Sequence, residues 1–370
     1  MRVPALNWMR IHTIAFKDFR NLQDETIEIG PGANILFGEN AQGKTSFLEA
    51  AHLCATGRSQ RASASREMIR FGADEAHVRI NCEKKGSADR IDVHLKRDGK
   101  KGAALNQVPI KKIGDLFGNL LVVSFSPEDL KLIKAGPNER RRFMDLELCQ
   151  MSKVYCFDLQ SYCRALRQRN LALKDLRKRP DINDTICVWD AQLIEHGCRI
   201  LRARKAFTEK ISPLASLIHE IISDGRELLQ IQYKPNATES DFSEKLKRSL
   251  NRDIISGSTS VGLHKDDMVF IINSSDARTY GSQGQQRTAS LSCKLAEIAL
   301  IREVKQSSPV LLLDDVLSEL DKGRQRFLLE SVEDVQSIIT CTGIEDVLKN
   351  APGDSKVFRV SGGSVAPKAI

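Results

Sequence analysis

A glycine loop between residues 38 and 45 constrains the fold of this chain more than any other segment. It reads GENAQGKT, which fits the pattern GxxxxGK[ST], and it lies between an apolar run at 33–37 and an amphipathic run at 46–54. Glycines let backbone N–H groups approach an anion, and the N-terminus of the following helix favours negative charge. The segment therefore predicts a strand, a loop and a helix around a nucleoside triphosphate.

Each residue type in this loop suits a part of the nucleotide. The lysine of such a loop reaches the outer phosphates, and the hydroxyl that follows it can hold Mg²⁺. A glycine turn that fits the pattern by chance is the alternative, and the flanking strand and helix patterns disfavour it. The residues predicted to contact the nucleotide are Gly38, Glu39, Asn40, Ala41, Gln42, Gly43, Lys44, Thr45 and Ser46.

The order of apolar patterns predicts an α/β fold that is interrupted by helices. Strands are expected at 11–19, 26–29, 77–82, 91–96, 120–125, 268–273, 310–313 and 337–340. Helices are expected up to about residue 55, at about 159–176, 189–211, 285–304 and 322–330, and the chain after residue 352 is expected to be a loose tail. This order predicts two parts of a nucleotide-binding domain, at 1–125 and 256–370, and a helical lobe with a short coiled-coil-like arm at 126–255.

Two adjacent carboxylates follow a short apolar run near the C-terminal end. Residues 309–313 read PVLLL, and Asp314 and Asp315 come directly after them. Ligands of open α/β sheets lie beyond the carboxyl ends of the strands, so we expect this pair beside the glycine loop. Asp314 is predicted to hold Mg²⁺ together with Thr45. Asp315 is the predicted catalytic carboxylate that orients or deprotonates water, and Lys44 is the second predicted catalytic residue.

A second candidate phosphate site lies at the start of a predicted helix. Residues 282–288 read SQGQQRT, so that Ser282, Gly284 and Gln285 stand at a helix N-terminus, which favours an anion. Ser282 also suits an ordinary helix cap, and the two roles are compatible.

The order of four segments resembles that of ABC-type ATPases: the glycine loop, SQGQQRT, the carboxylate pair, and VLSELD at 316–321. Their wording resembles one family of such proteins, the RecF recombination mediators of bacteria. The matching segments are FRN at 19–21, GENAQGKTSFLEA at 38–50, GRS at 57–59, FSPEDL at 125–130, RRRFMD at 140–145, QRN at 168–170, WD at 189–190, SQGQQRT at 282–288 and LLLDDVLSELD at 311–321.

The resemblance implies a fold, cofactors and partners. The expected fold is an ABC-type ATPase head, with a P-loop sheet, flanking helices and an antiparallel β subdomain, into which a helical lobe is inserted. The expected cofactors are ATP and Mg²⁺, and Ser282, Gly284 and Gln285 are expected to cap the γ-phosphate held by a second copy of the chain. An ATP-dependent homodimer would bind single-stranded DNA and gapped or junction duplexes, act with RecR- and RecO-type proteins, help to load recombinase and support the SOS response. Most ABC enzymes have a glutamate where this chain has Asp315, so we expect slow hydrolysis.

The chain departs from the family pattern in two places. The usual GPHRDD-like segment is GLHKDD at 262–267, which lacks the proline and the arginine. The histidine that follows the last buried strand in transporter ATPases is replaced by Thr340, Cys341 and Thr342. A hydroxyl there can hydrogen-bond the γ-phosphate, but it cannot act as a base at neutral pH.

The formal net charge of +8 favours a polyanionic partner such as nucleic acid. Scattered cysteines without a CxxC pair, and the lack of a signal-peptide pattern, favour a reducing cytoplasm. Two groups are candidates for DNA contact, and each is also compatible with a solvated helix face. They are Arg140, Arg141 and Arg142, and the face with Arg164, Arg167, Lys174, Arg177 and Lys178.

Other classes of ATPase remain open at this point. A helicase would need further motor motifs, which the sequence lacks. An ABC-coupled nuclease would need another acidic metal cluster, for which Asp266 and Asp267 are a possible fragment. An ATP-gated DNA clamp with negligible turnover is the alternative without catalysis.

Overall fold

The computed structural model describes residues 7–62, 64–84, 86–176, 184–343 and 355–368. The chain divides into two compact units. The first unit comprises Met1–Asp129 and Glu297–Ile370, and the second comprises Leu130–Ala296.

Sixteen strands are present in the described part of the chain. They are β1 (Asn7–Lys17), β2 (Thr26–Glu28), β3 (Ala33–Phe37), β4 (Glu75–Lys84), β5 (Ser87–Lys96), β6 (Lys101–Leu105), β7 (Val108–Pro109), β8 (Val122–Phe125), β9 (Leu229–Lys234), β10 (Asp267–Ile272), β11 (Ser275–Asp276), β12 (Ser307–Ser308), β13 (Val310–Asp314), β14 (Ser337–Cys341), β15 (Lys356–Ser361) and β16 (Ser364–Lys368).

Eight α-helices accompany these strands in the described part of the chain. They are α1 (Lys44–Thr56), α2 (Lys131–Lys134), α3 (Pro137–Met151), α4 (Lys153–Leu176), α5 (Asp184–Ile222), α6 (Phe242–Ser256), α7 (Gln283–Lys305) and α8 (Lys322–Ser331).

A six-stranded sheet in the first unit carries the glycine loop and the carboxylate pair. Its strand order is β16-β15-β3-β14-β13-β8, and all neighbours are parallel except β15 and β16. Central strands of a parallel sheet are covered on both faces, which explains why β3, β13 and β14 are buried at nearly every position. Parallel strands end at the same edge, so the loop after β3 and the carboxylates after β13 lie on one side of the sheet.

The β subdomain forms a second, mainly antiparallel sheet in the first unit, in which β1 and β12 pair in parallel. Its order is β12-β1-β4-β5-β6-β7, and β2 pairs with β1. Ala76, Val78, Ile80 and Cys82 are buried at alternate positions of β4, as expected for a strand with one covered face. The strands β5 and β6 form an antiparallel hairpin.

The second unit contains α2 to α6, the start of α7 and a three-stranded antiparallel sheet of order β11-β10-β9. The long helices α4 and α5 pack against each other. Leu173, Leu176 and Ile186 form a buried cluster of these helices against α6 residues Leu250 and Ile254. Residues 179–181 read Arg-Pro-Asp, which predicts a turn between the two long helices, and they lie outside the described residues.

Two predictions on organisation differ from the structure. The strand β9 lies within the stretch predicted as a helical lobe and pairs with β10, so a boundary between residues 255 and 256 would separate two paired strands. Its short pattern, with Leu229 and Ile231 buried, is masked by the helical periodicity on either side.

The predicted loose tail is wrong for 356–368, where β15 and β16 form a hairpin. Val357, Val360 and Val365 are buried, and β15 pairs with the P-loop strand β3. The high glycine content that suggested a tail belongs to the turn of this hairpin, at Gly362 and Gly363.

Candidate nucleotide-binding site

Two glycines shape the loop between β3 and α1. Gly43 has φ 118° and forms the N-terminal cap of α1, a conformation that residues with a Cβ rarely adopt. A Cβ on Gly38 would collide with the carbonyl oxygen of Val360 in β15. Position 43 therefore requires glycine because of its backbone conformation, and position 38 requires glycine because of the neighbouring strand.

Lys44 is buried inside this loop. Its ammonium nitrogen donates hydrogen bonds to the carbonyl oxygens of Gly38 and Glu39, at 2.6 and 2.8 Å. Only 7% of the residue is exposed. The loop backbone therefore wraps around the Lys44 ammonium group. This positive charge lies at the N-terminus of α1, where the helix dipole also favours an anion.

The hydroxyl of Thr45 and the carboxylate of Asp314 meet at the carboxyl edge of the sheet. Thr45 Oγ1 lies 2.8 Å from Asp314 Oδ1. Hydroxyl and carboxylate oxygens are the hard ligands that Mg²⁺ prefers, and it is commonly held by one or two such groups with phosphates and water. This pair of donors fits that ion.

The backbone at Asp315 turns sharply. Its φ is 52°, in the left-handed region, which aspartate tolerates better than most residues. Its N–H donates to Thr340 Oγ1 at 3.0 Å, and its carbonyl accepts from the Ser318 hydroxyl at 2.7 Å. Asp315, like Asp314, is partly exposed.

The hydroxyl of Thr340 is directed into the fold. Its Oγ1 donates to Asp314 Oδ1 at 3.0 Å, and 1% of the residue is exposed. The expectation that this hydroxyl bonds a γ-phosphate is therefore corrected for Thr340, because parallel pairing of β13 and β14 sets it directly beside Asp314. Thr342, two residues later, is exposed.

Cys341 forms part of the wall near Lys44. Burial raises the pKa of its thiol to about 11, although the positive charge of Lys44 acts in the opposite direction. The thiol is therefore protonated at neutral pH and contributes an apolar surface, not a nucleophile.

The hairpin turn between β15 and β16 supports the glycine loop, a contact that motif reasoning missed. Gly362 N–H donates to Gln42 Oε1 at 2.7 Å, and Gly363 N–H donates to the Gln42 carbonyl at 3.1 Å. Asn21 holds the loop from another side, because its Nδ2 donates to the Ala41 carbonyl at 3.0 Å. The alternating apolar residues around Gly-Gly are a hairpin signal that could have revealed this segment.

The motifs at 19–21 and 57–59 meet on α1. Arg20 forms a two-pronged ion pair with Glu49, through Nε at 2.8 Å and Nη2 at 2.9 Å. The Ser59 hydroxyl donates to the same carboxylate. The buried Glu49 thus joins both motifs to the helix that carries the P-loop lysine.

In the second unit, the SQGQQRT segment begins α7. Ser282 Oγ accepts from the Gln285 N–H at 3.2 Å, and Gln285 Oε1 accepts from the Ser282 N–H at 2.8 Å. This reciprocal pair is a capping box. Ser282 is exposed and Gly284 and Gln285 are partly exposed, so this helix start presents small polar groups to the solvent.

Two buried arginines hold the other motif residues of the second unit together. Arg169 pairs with Asp190 at 2.5 Å and with Asp253 at 2.8 Å. Arg204 pairs with Asp145 and Asp266, at 2.8 Å each. Both guanidinium groups are at most 2% exposed, and their pairs with acids on separate elements brace the helical lobe.

The segment at 262–267 belongs to this bracing. A Cβ on Gly262, which has φ 131°, would collide with the Tyr162 hydroxyl. Burial and the charge of the Asp266 carboxylate raise the pKa of the Tyr233 hydroxyl that donates to Asp266. Lys265, where the family pattern has arginine, is exposed and lies outside this network. Asp266 is therefore held in a buried structural network of the second unit.

The first predicted DNA-contact group is corrected in part. Arg140 is 3% exposed and forms a two-pronged ion pair with Asp267, at 2.7 and 3.0 Å, so it is unavailable to phosphates. Arg141 donates to the Asp266 carbonyl at 2.6 Å, and Arg142 is exposed.

The second group lies on α4. Arg164, Arg167 and Lys174 are exposed and form no ion pair with another residue in the described part of the chain. Arg177 and Lys178 lie outside the described residues. The basic face that the structure describes is thus formed by three side chains on one helix.

Comparisons with known proteins match nearly the whole chain. The family model of the AAA domain matches residues 13–255. The DNA replication and repair protein RecF of Agathobacter rectalis is 50% identical over 357 residues, which are 96% of this chain and 99% of that protein. RecF of Clostridium acetobutylicum is 42% identical over 364 residues, 97% of this chain and 99% of that protein.

Solved structures agree with these matches. A structure described as the recombination mediator protein RecF with ATP, in the RecFOR pathway, has a TM-score of 0.93 and 35% identity and covers 100% of both chains. The Smc head domain of Pyrococcus furiosus, with an extended coiled coil, has a TM-score of 0.56 and 17% identity over 98% of this chain and 96% of that chain. The latter likeness concerns the fold alone, which is that of an ATPase head.

Proposed function

This chain belongs to the RecF family of DNA replication and repair proteins, and from that premise we propose that it is an ATP-dependent DNA-binding protein of recombinational repair and replication restart. The observation that carries the proposal is the hydrogen bond between Thr45 and Asp314 at the carboxyl edge of the parallel sheet. This contact supports a shared metal site, because the P-loop hydroxyl and the strand-end carboxylate are close enough to bind one ion.

In the proposed site, the backbone of the glycine loop and the Lys44 ammonium hold the phosphates of ATP. Thr45 and Asp314 hold Mg²⁺, which when bound neutralises phosphate charge. Asp315 orients the attacking water. A carboxylate one methylene shorter than glutamate reaches less far toward that water, so hydrolysis serves as a slow switch stimulated by DNA.

ATP is proposed to close two copies of the chain on each other. Ser282 and the neighbouring N–H groups of α7, with Gly284 and Gln285, contact the γ-phosphate held by the partner copy. The exposure of this helix start supports that role, because the capping box satisfies Ser282 and Gln285 without covering them.

The proposed polyanionic partner is DNA, in single-stranded, gapped or junction form. Support comes from the net charge of +8 and from the exposed cations of α4, Arg164, Arg167 and Lys174. The RecFOR pathway named for the solved relative supports RecR- and RecO-type partners. Recombinase loading and a role in the SOS response belong to the same proposal. We propose a cytoplasmic location, in keeping with the lack of disulfide bonds among the nine cysteines, all of which lie in the described part of the chain.

Particle mass with and without ATP, Mg²⁺ and a gapped duplex tests this function. We expect monomers without nucleotide, dimers with Mg²⁺ and ATP, and a turnover well below about 10 per second, the median of enzymes. Lys44→Met should abolish both ATP binding and dimer formation. Dimers of equal abundance without nucleotide, or a turnover well above that median, would refute the switch.

An ATP-gated clamp with negligible turnover is the second candidate. It differs from a slow ATPase in a single-turnover experiment, in which the clamp leaves the ATP intact over many dimer lifetimes. A coupled nuclease has less support, because Asp266 and Asp267 are paired with arginines. No group of three or more His, Cys, Asp or Glu side chains within the described ranges is placed to hold a metal ion.

A further inference from the structure

We propose that Thr340 is a positioning residue that orients both carboxylates of the nucleotide site, Asp314 through its side chain and Asp315 through its backbone. This inference rests on the proposed function and deepens it. It assigns a role to the hydroxyl of a residue that is almost fully buried.

The contacts of the Thr340 hydroxyl carry the inference. It lies 3.0 Å from Asp314 Oδ1 and 3.0 Å from the Asp315 nitrogen. The register of the sheet sets this arrangement, since Thr340 pairs with Asp314 in β13 on one side and with Leu36 in β3 on the other. Thr340 therefore lies in the strand between the P-loop strand and the carboxylate strand.

The proton of this hydroxyl has one preferred acceptor. A threonine hydroxyl donates one hydrogen bond and can accept two. The Leu313 carbonyl is a second acceptor at 3.4 Å, but the carboxylate is closer and charged, which makes it the stronger partner. Thr340 thus donates to Asp314 while it accepts from the Asp315 N–H.

Two hydroxyl groups donate hydrogen bonds to the Asp314 carboxylate, and one of them is also a proposed metal ligand. Asp314 Oδ1 accepts from Thr45 and from Thr340. Thr45 is a proposed metal ligand, so its hydroxyl serves two tasks. Thr340 is not a proposed metal ligand, so the hydrogen bond that it donates serves to hold the Asp314 carboxylate in one rotamer for the ion.

The same hydroxyl supports the turn that aims Asp315. This residue has a left-handed backbone, which is less favourable than a helical or extended one. The hydrogen bond from its N–H to Thr340 offsets part of that cost. Without the hydroxyl, the turn loses an anchor and the carboxylate of Asp315 samples other directions.

Thr340→Val, a change of similar shape, tests the proposal in the full-length protein. We measure the dissociation constant of a fluorescent ATP analogue with Mg²⁺ and with EDTA, the single-turnover rate of hydrolysis, and the electron paramagnetic resonance spectrum of Mn²⁺ in the ATP complex. The expected result is an affinity within about threefold of wild type in EDTA, together with a hydrolysis rate about tenfold lower and a broadened Mn²⁺ spectrum. The tenfold figure is the typical effect of one lost charge-assisted hydrogen bond.

Thr340→Ser restores the hydroxyl and should recover most of the rate and the sharp Mn²⁺ spectrum. A Val variant equal to wild type, or a Ser variant as impaired as Val, overturns the proposal. If the Val variant does not fold, Thr340→Cys is compared with Thr340→Ser. These side chains are similar in size, but a thiol is a much weaker hydrogen-bond donor than a hydroxyl. A wild-type protein that fails to bind ATP with Mg²⁺ would instead refute the proposed function, so the two failures are distinguishable.

Discussion

Thr45 Oγ1 lies 2.8 Å from Asp314 Oδ1, although 269 positions separate the two residues along the chain. One follows the P-loop and the other ends a buried strand, and the parallel sheet brings them to the same edge. This contact joins the phosphate loop to the carboxylate and defines where a metal ion would be held.

Thr45→Ala should weaken ATP binding only when Mg²⁺ is present. The variant removes a metal ligand but leaves the phosphate-binding backbone and Lys44. We expect the dissociation constant to rise about tenfold or more in Mg²⁺ and less than about threefold in EDTA, by fluorescence titration. Thr45→Ser is the control and should resemble wild type. An equal loss in both conditions would contradict a metal role.

Ser282→Arg should spare ATP binding and block ATP-dependent dimers. The long cation fills the exposed start of α7, where the partner's γ-phosphate is proposed to lie. Sedimentation with saturating ATP should show monomers that retain bound nucleotide. Loss of the cap costs about 1 kcal/mol, so the thermal midpoint is measured alongside. Ser240→Arg, at another exposed serine of the second unit, is the matched control, and normal dimers of Ser282→Arg would rule out a shared site.

Reversal of charge at Arg164 and Arg167 should weaken DNA binding and flatten its salt dependence. Each lost phosphate contact lowers the slope of log K against log salt by about 1, so we expect a decrease of about 2 for the pair. Anisotropy titrations at several salt concentrations measure it. The double reversal Lys322→Glu and Arg326→Glu, of equal charge change, is the control. An unchanged slope would place the DNA surface elsewhere.

Gly363→Ala should lower ATP affinity, although residue 363 lies far along the chain from the P-loop. A Cβ there would collide with the Asn21 carbonyl and displace the turn that hydrogen-bonds Gln42. We expect an affinity loss of about tenfold and a lower thermal midpoint. Gly362 has a similar left-handed backbone, and a Cβ added there would meet open space. Gly362→Ala therefore measures the cost of the backbone conformation without a collision. Equal effects of the two variants would contradict support of the loop by the hairpin.

His264 should make stability fall as the pH drops below its ordinary pKa. Burial lowers the pKa of this imidazole, whose Nε2 lies 2.8 Å from the Thr259 carbonyl. A histidine with a depressed pKa stabilises the fold above the unfolded value of about 6.5, and this contribution is lost as the pH falls toward the folded value.

His264→Gln removes that titration. We expect the variant to melt below wild type at pH 7.5, with a gap that narrows toward pH 5.5, as recorded by thermal denaturation across this range. A gap that is constant or that widens on acidification would contradict the assigned direction.

Much of the fold was predictable because its signals are local. The glycine loop, the apolar run before Asp314 and the helix after Ser282 each lie within about 20 residues, and the structure places β3, β13 and α7 there. The strand β9 and the hairpin of β15 and β16 escaped prediction. Their short alternating patterns acquire a meaning only from partners that are distant in sequence, β10 and β3.

The polar motifs show the same division. Arg140 is a candidate phosphate contact by sequence, and Arg169 lies in the QRN motif, yet both are buried in ion pairs with acids on other elements of the fold. Whether a cationic side chain binds a partner or stabilises the fold depends on which carboxylates lie within reach of it. Residue type and spacing do not encode that information.

The sequence by itself determined the P-loop, the carboxylate pair and the family, because spacing and residue type carry those signals. Only the tertiary structure decided that Thr340 turns inward to Asp314 and that the Gly362 and Gly363 turn supports Gln42. The reason is physical: parallel strand register and hairpin packing select which of several suitable polar groups meet, and these are properties of the assembled sheet.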